Sequence, residues 1–394
     1  MTARPQPLSH RWLKARAMRD WAAMQDVAAV ILDRDPQARP IHRALARRLE
    51  ETGETAQALP HWRALTEIDP CDIEAAAHLG TAALAQGVSP GAAAALASPA
   101  APDSFRRVLT EVLSEPPLEA ASQDHFRHIA ICGVSFCGST LLDRLLGALP
   151  GVVNIGESHW LTEHRANGGG APIDFTAPQG HDLRYCNSCG PACAVLDWRL
   201  RRALAACGSD WYAKIAHRLG SEILISADKN PPKLVAHDPL LGFDALVLFK
   251  SPEQAWASTL KRLPRGQDAA FYRQQCQAYL AVWADRYELL LEHFRPQGRM
   301  VFLAYEDLVS RPRPTLAALC GALDLPFDAG VLETLPLRHW IGGNPNANAR
   351  LKTGPLAVES LVEPDLPDEH RRLIAQAQDA QAICARLRQS AVAG

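Results

Sequence analysis

The segment HIAICGVSFCGSTLLDRLLGAL, residues 128–149, most constrains what this chain can fold into. After His128 it continues with an apolar, partly β-branched run, which predicts a buried parallel strand, and its leucines recur at helical spacing. A glycine-bearing turn at residues 133–140, the glycine loop, lies between them. Glycines let backbone N–H groups approach an anion, and a helix N-terminus adds about half a positive charge. The segment therefore predicts a strand, an anion-binding loop and a helix in direct succession.

Two other interpretations of the glycine loop stay open. The spacing of Gly133 and Gly138 is that of a Walker A loop, but Ser139 stands where that motif requires lysine, which argues against an ATP or GTP hydrolase. The second alternative is a tight turn that binds nothing. Ser139 and Thr140 favour an anion site, because they supply hydroxyl donors at the start of the helix.

Three further apolar runs follow at residues 222–227, 244–249 and 299–304, and helical stretches separate them. Strands that alternate with helices predict an α/β fold, a parallel sheet with helices on both faces. Ligands of such sheets lie at the carboxyl ends of the strands. The polar residues that follow these runs are Asp228, Lys229, Lys250, Ser251, Tyr305 and Glu306.

The first hundred residues contain an internal repeat with a period of 34. The pairs that carry it are Pro36 and Pro70, Leu45 and Leu79, and Gly53 and Gly87. This is the period of tetratricopeptide repeats, in which paired helices stack on their neighbours. An Ala-rich helical bundle without true repeats is the alternative. Residues 88–103 are small and contain proline, which indicates a linker. We therefore expect a tetratricopeptide-like domain with its linker at 1–103 and the α/β domain at 104–394.

The composition excludes several classes of protein. The 394 residues are enough for two domains, and 41 basic against 43 acidic residues give a net charge of −2. Such a balance does not recruit nucleic acid or an acidic membrane. No stretch reaches the roughly 18 apolar residues of a membrane span, and the first residues lack the apolar core of a signal peptide. We expect a cytoplasmic protein with no nucleic-acid partner and no membrane span.

Several ordered segments resemble sulfotransferases that use 3′-phosphoadenosine 5′-phosphosulfate (PAPS), in particular bacterial, tyrosylprotein-sulfotransferase-like members. GVSFCGSTLLDRLL is similar to the family's 5′-phosphosulfate loop, and GVVNIGESHWL to the strand whose Gly-Glu carries the base. ADKNP is similar to the lysine-bearing loop, and LFKSPEQAWAS to the 3′-phosphate segment. YEDLVSRPRPTLAALCGALDLPFD resembles the family's Tyr-Glu-Asp-Leu helix entry, and HWIGGNPNANARLKTG its donor-covering loop. The resemblance covers about residues 128–355.

The resemblance implies an activity and roles for individual residues. It implies transfer of a sulfuryl group from PAPS to a hydroxyl or amine, which leaves 3′-phosphoadenosine 5′-phosphate (PAP), with no catalytic metal. Glu157 is the expected base, and Lys229 is expected to stabilise charge on the sulfuryl and leaving oxygens. Lys250 and Ser258, eight positions later, are expected at the 3′-phosphate. The other cofactor-binding residues implied are Ser135, Cys137, Gly138, Ser139, Thr140 and Leu141 in the glycine loop, and Arg350 and Lys352 in a basic loop over the nucleotide.

Two positions depart from the family pattern. Phe136 stands where the family usually has Lys or Arg near the 5′-phosphate, and Lys250 replaces a more usual Arg, which keeps the charge and gives up bidentate geometry. The loss at Phe136 supports an alternative function, a catalytically decayed binding or scaffold protein that acts through its helical repeats. The acceptor, whether small molecule, glycan or peptide, is not identified by these motifs, and the repeats are a candidate surface for a protein partner.

Three of the ten cysteines are close in sequence, namely Cys186, Cys189 and Cys193. Their spacing is compatible with a structural zinc, with His181 or Cys207 as the fourth ligand. Reduced or disulfide-linked thiols are the alternative. Most of the other cysteines lie in apolar segments, and we expect them to be reduced and buried.

Overall fold

The structure, a computed structural model, describes residues 8–18, 20–122, 125–166, 169–176, 183–206, 210–231, 234, 242–336, 338–344 and 364–392. The chain divides into two compact units. The helical unit comprises the described residues within 1–126, 158–222 and 232–240, and the sheet unit comprises those within 127–157, 223–231 and 241–394.

Helices and strands are numbered in order along the whole chain. Those of the helical unit are α1 Leu8–Ala17, α2 Trp21–Arg34, α3 Arg39–Glu51, α4 Thr55–Ile68, α5 Ile73–Leu84, α6 Pro90–Ala97, α7 Asp103–Ser114, β3 Glu163–Ala166, β4 Gly169–Pro172, α9 Trp198–Ala206 and α10 Trp211–Leu219. Those of the sheet unit are β1 Arg127–Cys132, α8 Ser139–Leu146, β2 Val152–Gly156, β5 Ile223–Lys229, β6 Phe243–Phe249, α11 Pro252–Leu260, α12 Ala269–Glu288, β7 Met300–Ala304, α13 Tyr305–Ser310, α14 Pro312–Leu323, α15 Asp368–Gln376 and α16 Gln378–Ser390.

The first helices of the helical unit follow the period seen in the sequence. Helix α5 begins at Ile73, 34 residues after α3 begins at Arg39. The Asp72 side chain caps α5 by accepting a hydrogen bond from the N–H of Ala75 at 3.2 Å, and such a cap is worth about 1 kcal/mol. The helix spacing thus repeats with the sequence, whereas the assignment to the tetratricopeptide class stays a prediction.

The core of the helical unit is built around aromatic side chains. Trp62 of α4 is 0% exposed, and its indole N–H donates to the Glu50 carboxylate at 2.9 Å. A second apolar cluster joins α5, α6 and α7 to Ile173 and Phe175, which follow the antiparallel β3–β4 hairpin. Residues 158–222 therefore form one compact unit with the N-terminal helices. The predicted domain boundary at the end of the linker stays a prediction.

The sheet unit contains five parallel strands in the order β2-β5-β1-β6-β7. The four strands predicted from apolar runs are β1, β5, β6 and β7, and every residue of β6 is buried. These strands are mostly apolar because a parallel sheet is covered on both faces, and the polar residues Asp228 and Lys229 come at the carboxyl end of β5. The predicted α/β fold with an all-helical region before the sheet is therefore confirmed. Among the described residues, no helix combines the length and the apolar character that a membrane crossing requires.

Candidate functional site

The glycine loop connects the end of β1 to the start of α8, as the sequence predicts. Gly138 has a φ of +101°, and a Cβ built there would lie 2.2 Å from Cδ2 of Tyr305, so the position requires glycine. A Cβ at Gly133 would lie 2.6 Å from the carbonyl oxygen of Leu248 on β6. The loop backbone therefore packs closely against the ends of two other strands.

The predicted binding residues of the loop differ in exposure. Ser135 and Phe136 are exposed, whereas the side chains of Cys137 and Ser139 are buried, and Leu141 in the first turn of α8 is half-buried. Burial raises the pKa of the Cys137 thiol, which keeps this group neutral. The buried loop residues thus bring no charged side chain to a ligand, and the N–H of Cys137 already donates to the carbonyl of Val134 at 3.3 Å.

Lys250 and Ser258 meet at the end of β6. Lys250 directly follows the strand and α11 begins at Pro252, so the lysine precedes the helix that carries Ser258. The Nζ of Lys250 donates to Oγ of Ser258 at 3.2 Å and lies 4.2 Å from the centre of the Tyr305 ring. Burial lowers the pKa of Lys250. The structure thus brings together two residues that the sequence predicts at one phosphate, beside the tyrosine that packs on Gly138.

Glu157 and Lys229 form an ion pair between the ends of the neighbouring strands β2 and β5. Their side chains are 14% and 17% exposed. Burial acts to lower the pKa of Lys229, but the Glu157 carboxylate outweighs this effect, and the pKa is raised overall. Lys229 also has a left-handed φ of +61°, which costs a non-glycine residue about 1–3 kcal/mol, and its carbonyl accepts from the N–H of Gly133 at 3.0 Å. Such strain is common at functional sites.

The chain from Ile341 to Asn344 connects the end of β2 to the glycine loop. The N–H of Glu157 donates to the carbonyl of Ile341 at 2.9 Å. Gly156 has a φ of +77°, and a Cβ there would lie 2.3 Å from the same carbonyl oxygen. Three residues later, the N–H of Asn344 donates to Oγ1 of Thr140 at 3.1 Å. One short segment therefore fixes the backbone before Glu157 and a hydroxyl of the loop.

A buried carboxylate supports this strand end, and the motif analysis missed it. Asp143 of α8 accepts a hydrogen bond from the side-chain N–H of Asn154 at 2.6 Å and from the N–H of Gly156 at 3.3 Å. Burial raises the pKa of Asp143 to about 7. Asp143 thus ties the helix that follows the glycine loop to the strand that precedes Glu157. The signal in the sequence is a charged residue among the leucines of an apolar helix.

Arg262 is a second residue that the motif analysis missed. It is exposed and lies four residues after Ser258, just beyond the end of α11. Its Cζ lies 5.4 Å from the centre of the Phe136 ring, and its Nη2 donates to Oδ1 of Asn344 at 3.0 Å. The signal in the sequence is a basic residue four positions after Ser258, close to the end of the helix that carries it.

Four predicted residues lie outside the described part of the chain, namely Arg350, Lys352, His181 and Cys207. The three clustered cysteines are described, and they belong to the helical unit. The Sγ atoms of Cys186, Cys189 and Cys193 all lie within 4.8 Å of one another. The structure therefore brings the cysteines together, while the predicted fourth ligands are not described.

The sheet unit thus gathers positive charge around one loop. Lys229, Lys250 and Arg262 lie at or near the carboxyl edge of the sheet, where α8 also begins. Such an arrangement suits an anion with more than one charged group. The carboxylate of Glu157 lies at the same edge and is a proton acceptor of the kind that group transfer requires.

The family model of the Sulfotransferase family matches residues 128–329, which is half of the chain, and this chain belongs to that family. Among solved structures, a sulfotransferase domain from the curacin biosynthetic pathway is 18% identical, with 64% of this chain and 98% of that chain covered and a TM-score of 0.39. The sulfotransferase domain from the Synechococcus PCC 7002 olefin synthase is 17% identical, with coverage of 66% and 97% and a TM-score of 0.38. No curated protein sequence matches the chain.

Proposed function

We propose that this protein transfers a sulfuryl group from PAPS to a hydroxyl or amine of its acceptor and releases PAP. The observation that carries the proposal is the contact between Lys250 and Ser258, at 3.2 Å, on the strand next to the glycine loop. This contact and the loop offer two anion positions at neighbouring strand ends. PAPS has charged groups at the 3′ and 5′ positions of its ribose, so it requires two such positions.

The residues at the sheet edge fit PAPS by their chemistry. Lys250 and Ser258 would hold the 3′-phosphate, one with a charged N–H donor and the other with a hydroxyl. The glycine loop and the start of α8 would hold the 5′-phosphosulfate with backbone N–H groups. The absence of side chains at Gly133 and Gly138 is what allows this backbone to lie so close to the neighbouring strand ends.

The Glu157 and Lys229 pair supports a division of roles. Glu157 takes the proton of the acceptor hydroxyl or amine as the new bond forms, and a positioned base contributes about 10²–10⁴-fold to the rate. Lys229 holds positive charge where negative charge increases on the leaving oxygen, and its raised pKa keeps it protonated. Their ion pair positions both side chains before substrates bind. Bound PAPS supplies the sulfuryl group.

Thermal unfolding with nucleotides tests this proposal. PAP at 100 times its dissociation constant should stabilise the protein by about 2.7 kcal/mol, and ATP should not. Lys250→Ala and Ser258→Ala should each weaken PAP binding, because a hydrogen bond to a charged group contributes about 1.5–3 kcal/mol. Arg265→Ala, which removes an exposed charge from the following turn, is the control. Unchanged PAP affinity in both site variants would contradict the assignment, and labelled PAPS with a panel of acceptors would identify the substrate.

A second candidate is a sulfotransferase-like scaffold protein that acts through its helical repeats. The observation that favours it is Phe136, which is 37% exposed where the family usually has a basic residue. This candidate predicts no thermal shift with PAP or with ATP. A shift with ATP alone would instead indicate a nucleotide hydrolase.

We also propose the finer features that the resemblance implies. These are a bacterial, tyrosylprotein-sulfotransferase-like catalytic domain at 104–394, a cytoplasmic location, and a small-molecule, glycan or peptide acceptor. The helices within 1–103 are proposed as tetratricopeptide-like repeats that hold a protein partner. The 34-residue spacing of α3 and α5 supports this last assignment.

A further inference from the structure

Three cysteines of the helical unit converge in the segment between β4 and α9. The Sγ atoms of Cys186, Cys189 and Cys193 all lie within 4.8 Å of one another. Three thiolates on one zinc ion, at the usual Zn–S distance of about 2.3 Å, are about 3.8 Å apart, so small side-chain adjustments bring these sulfurs to a shared ion. We propose that the cluster is a structural zinc site with these three thiolates as ligands.

The backbone around the cluster is arranged as in a ligand-bearing turn. Gly190 directly follows the CxxC pair, has a left-handed φ of +67°, and donates its N–H to the carbonyl of Cys186 at 2.9 Å. The N–H of Leu196 donates to Sγ of Cys193 at 3.3 Å. A backbone N–H directed at sulfur stabilises a thiolate, and such outer contacts orient metal ligands. The turn therefore holds the ligand set together through its own backbone.

A buried cation gives the cluster its charge balance. Arg201 of α9 is 2% exposed and interacts electrostatically with Cys193. Its guanidinium donates to the carbonyls of Trp160 and Leu161 at 3.1 Å and of Arg184 at 2.5 Å. One Zn²⁺ with three thiolates carries a net charge of −1, which this guanidinium, together with its interaction with Asp197, would help to balance. The arginine is thus compatible with a metal-bound cluster, and the test below separates metal from a disulfide.

The test measures metal and thiols in the full-length purified protein. We expect about one zinc per chain by mass spectrometry, and all ten cysteines reactive after unfolding with a chelator and no reductant. Cys186→Ser and Cys193→Ser should lose the zinc, and Cys71→Ser, an exposed cysteine outside the cluster, should keep it. Protein purified without zinc, or two thiols missing from the unfolded wild type, would overturn the proposal. The zinc content and the thiol count of the wild-type protein test the proposal even where a variant does not fold.

Phe136 leaves the glycine loop without the positive charge that the family usually has at this position. A second inference about where that charge comes from rests on the proposed function. The guanidinium of Arg262 lies over the Phe136 ring, whose backbone has a left-handed φ of +66°, and an aromatic face attracts a cation. The same guanidinium reaches Asn344, whose N–H binds Thr140 at the other end of the loop. We infer that Arg262 supplies the positive charge for the 5′-phosphate group, from the end of α11 instead of from the loop, with Phe136 as its platform.

Adenosine 5′-monophosphate and PAP separate this role from that of Lys250, because only PAP has the 3′-phosphate. Arg262→Ala should weaken both ligands by about the same factor, at least tenfold. Lys250→Ala should weaken PAP alone, and Arg265→Ala should change neither. Adding Phe136→Arg to Arg262→Ala should restore much of the affinity, because it returns the charge to the loop.

The outcomes distinguish this inference from the proposed function. Normal affinity in Arg262→Ala together with weak PAP binding in Lys250→Ala would overturn the role of Arg262 and leave the sulfotransferase proposal standing. Loss of PAP binding in Arg262→Ala that Phe136→Arg does not restore would also count against the role of Arg262. The missing charge would then not be the cause of the weaker binding. A wild type that does not bind PAP would overturn both.

Discussion

Replacing Gly138 by alanine should destabilise the protein and weaken PAP binding together. The left-handed backbone at this position has a φ of +101°, and a side chain there costs about 1–2 kcal/mol. The new Cβ would lie 2.2 and 2.4 Å from Cδ2 and Cε2 of Tyr305, against a normal carbon contact of about 3.5–4.0 Å. The ring must therefore move by more than an ångström.

The movement has a cost of its own and a consequence for the site. Overpacking of this kind costs about 1–3 kcal/mol, which brings the expected loss to about 2–5 kcal/mol. Lys250 lies 4.2 Å from the centre of the same ring, so displacement of Tyr305 also disturbs the cation that we propose for the 3′-phosphate. Urea unfolding measures the first effect, and titration calorimetry with PAP measures the second.

Two comparisons separate strain from steric conflict. Gly321→Ala, inside α14 with no atom within 4 Å of its Cβ, should stabilise the protein by about 0.5–1 kcal/mol. In a Tyr305→Ala background, Gly138→Ala should cost only the backbone part, because the ring that conflicts with the new Cβ is absent. A Gly138→Ala protein with wild-type stability and wild-type PAP affinity would refute the packing argument.

Three further changes follow from the site. Lys250→Arg should keep the affinity for PAP and shift the loss of that affinity at alkaline pH to a higher pH. The reason is that burial lowers the pKa of Lys250, whereas a guanidinium stays protonated. PAP titrations across the alkaline range measure this shift. Glu157→Gln should lower the transfer rate at least about 10²-fold with PAP affinity nearly intact, measured with EDTA present on one preparation, since no catalytic metal is expected. Asp143 has a pKa raised by burial from 3.8 to about 7, so the folded protein binds its proton more tightly and the free energy of unfolding falls as pH rises through that window. Asp143→Asn should flatten this fall in urea unfolding at acid and neutral pH.

The sequence was sufficient where the relevant contacts are local. The glycine loop joins consecutive elements, so the apolar pattern and the positions of Gly133 and Gly138 predict its geometry directly. Lys250 and Ser258 are eight residues apart across one helix start, and their contact follows once α11 begins at Pro252. Strands β1, β5, β6 and β7 were predictable for the same reason, because each is built around a local apolar run.

Contacts between distant parts of the chain were not predictable. Glu157 and Lys229 were each expected at a strand end, but their ion pair depends on β5 lying next to β2, an order that apolar runs do not encode. Arg262 meets Phe136 only because the chain beyond α11 returns to the loop. Likewise, the packing of Phe175 among α5 to α7 reflects tertiary burial rather than any local pattern.

The hydrogen bond from Asn344 to Thr140 joins residues that are 204 positions apart. A ribosome that adds about 5–20 residues per second needs about 10–40 s to make the chain between them. The glycine loop and its strand thus leave the ribosome long before the residue that completes them. On a growing chain the contact between Asn344 and Thr140 forms only after all five strands of the sheet have been made, so a nascent protein halted before residue 344 has its sheet strands but not this contact.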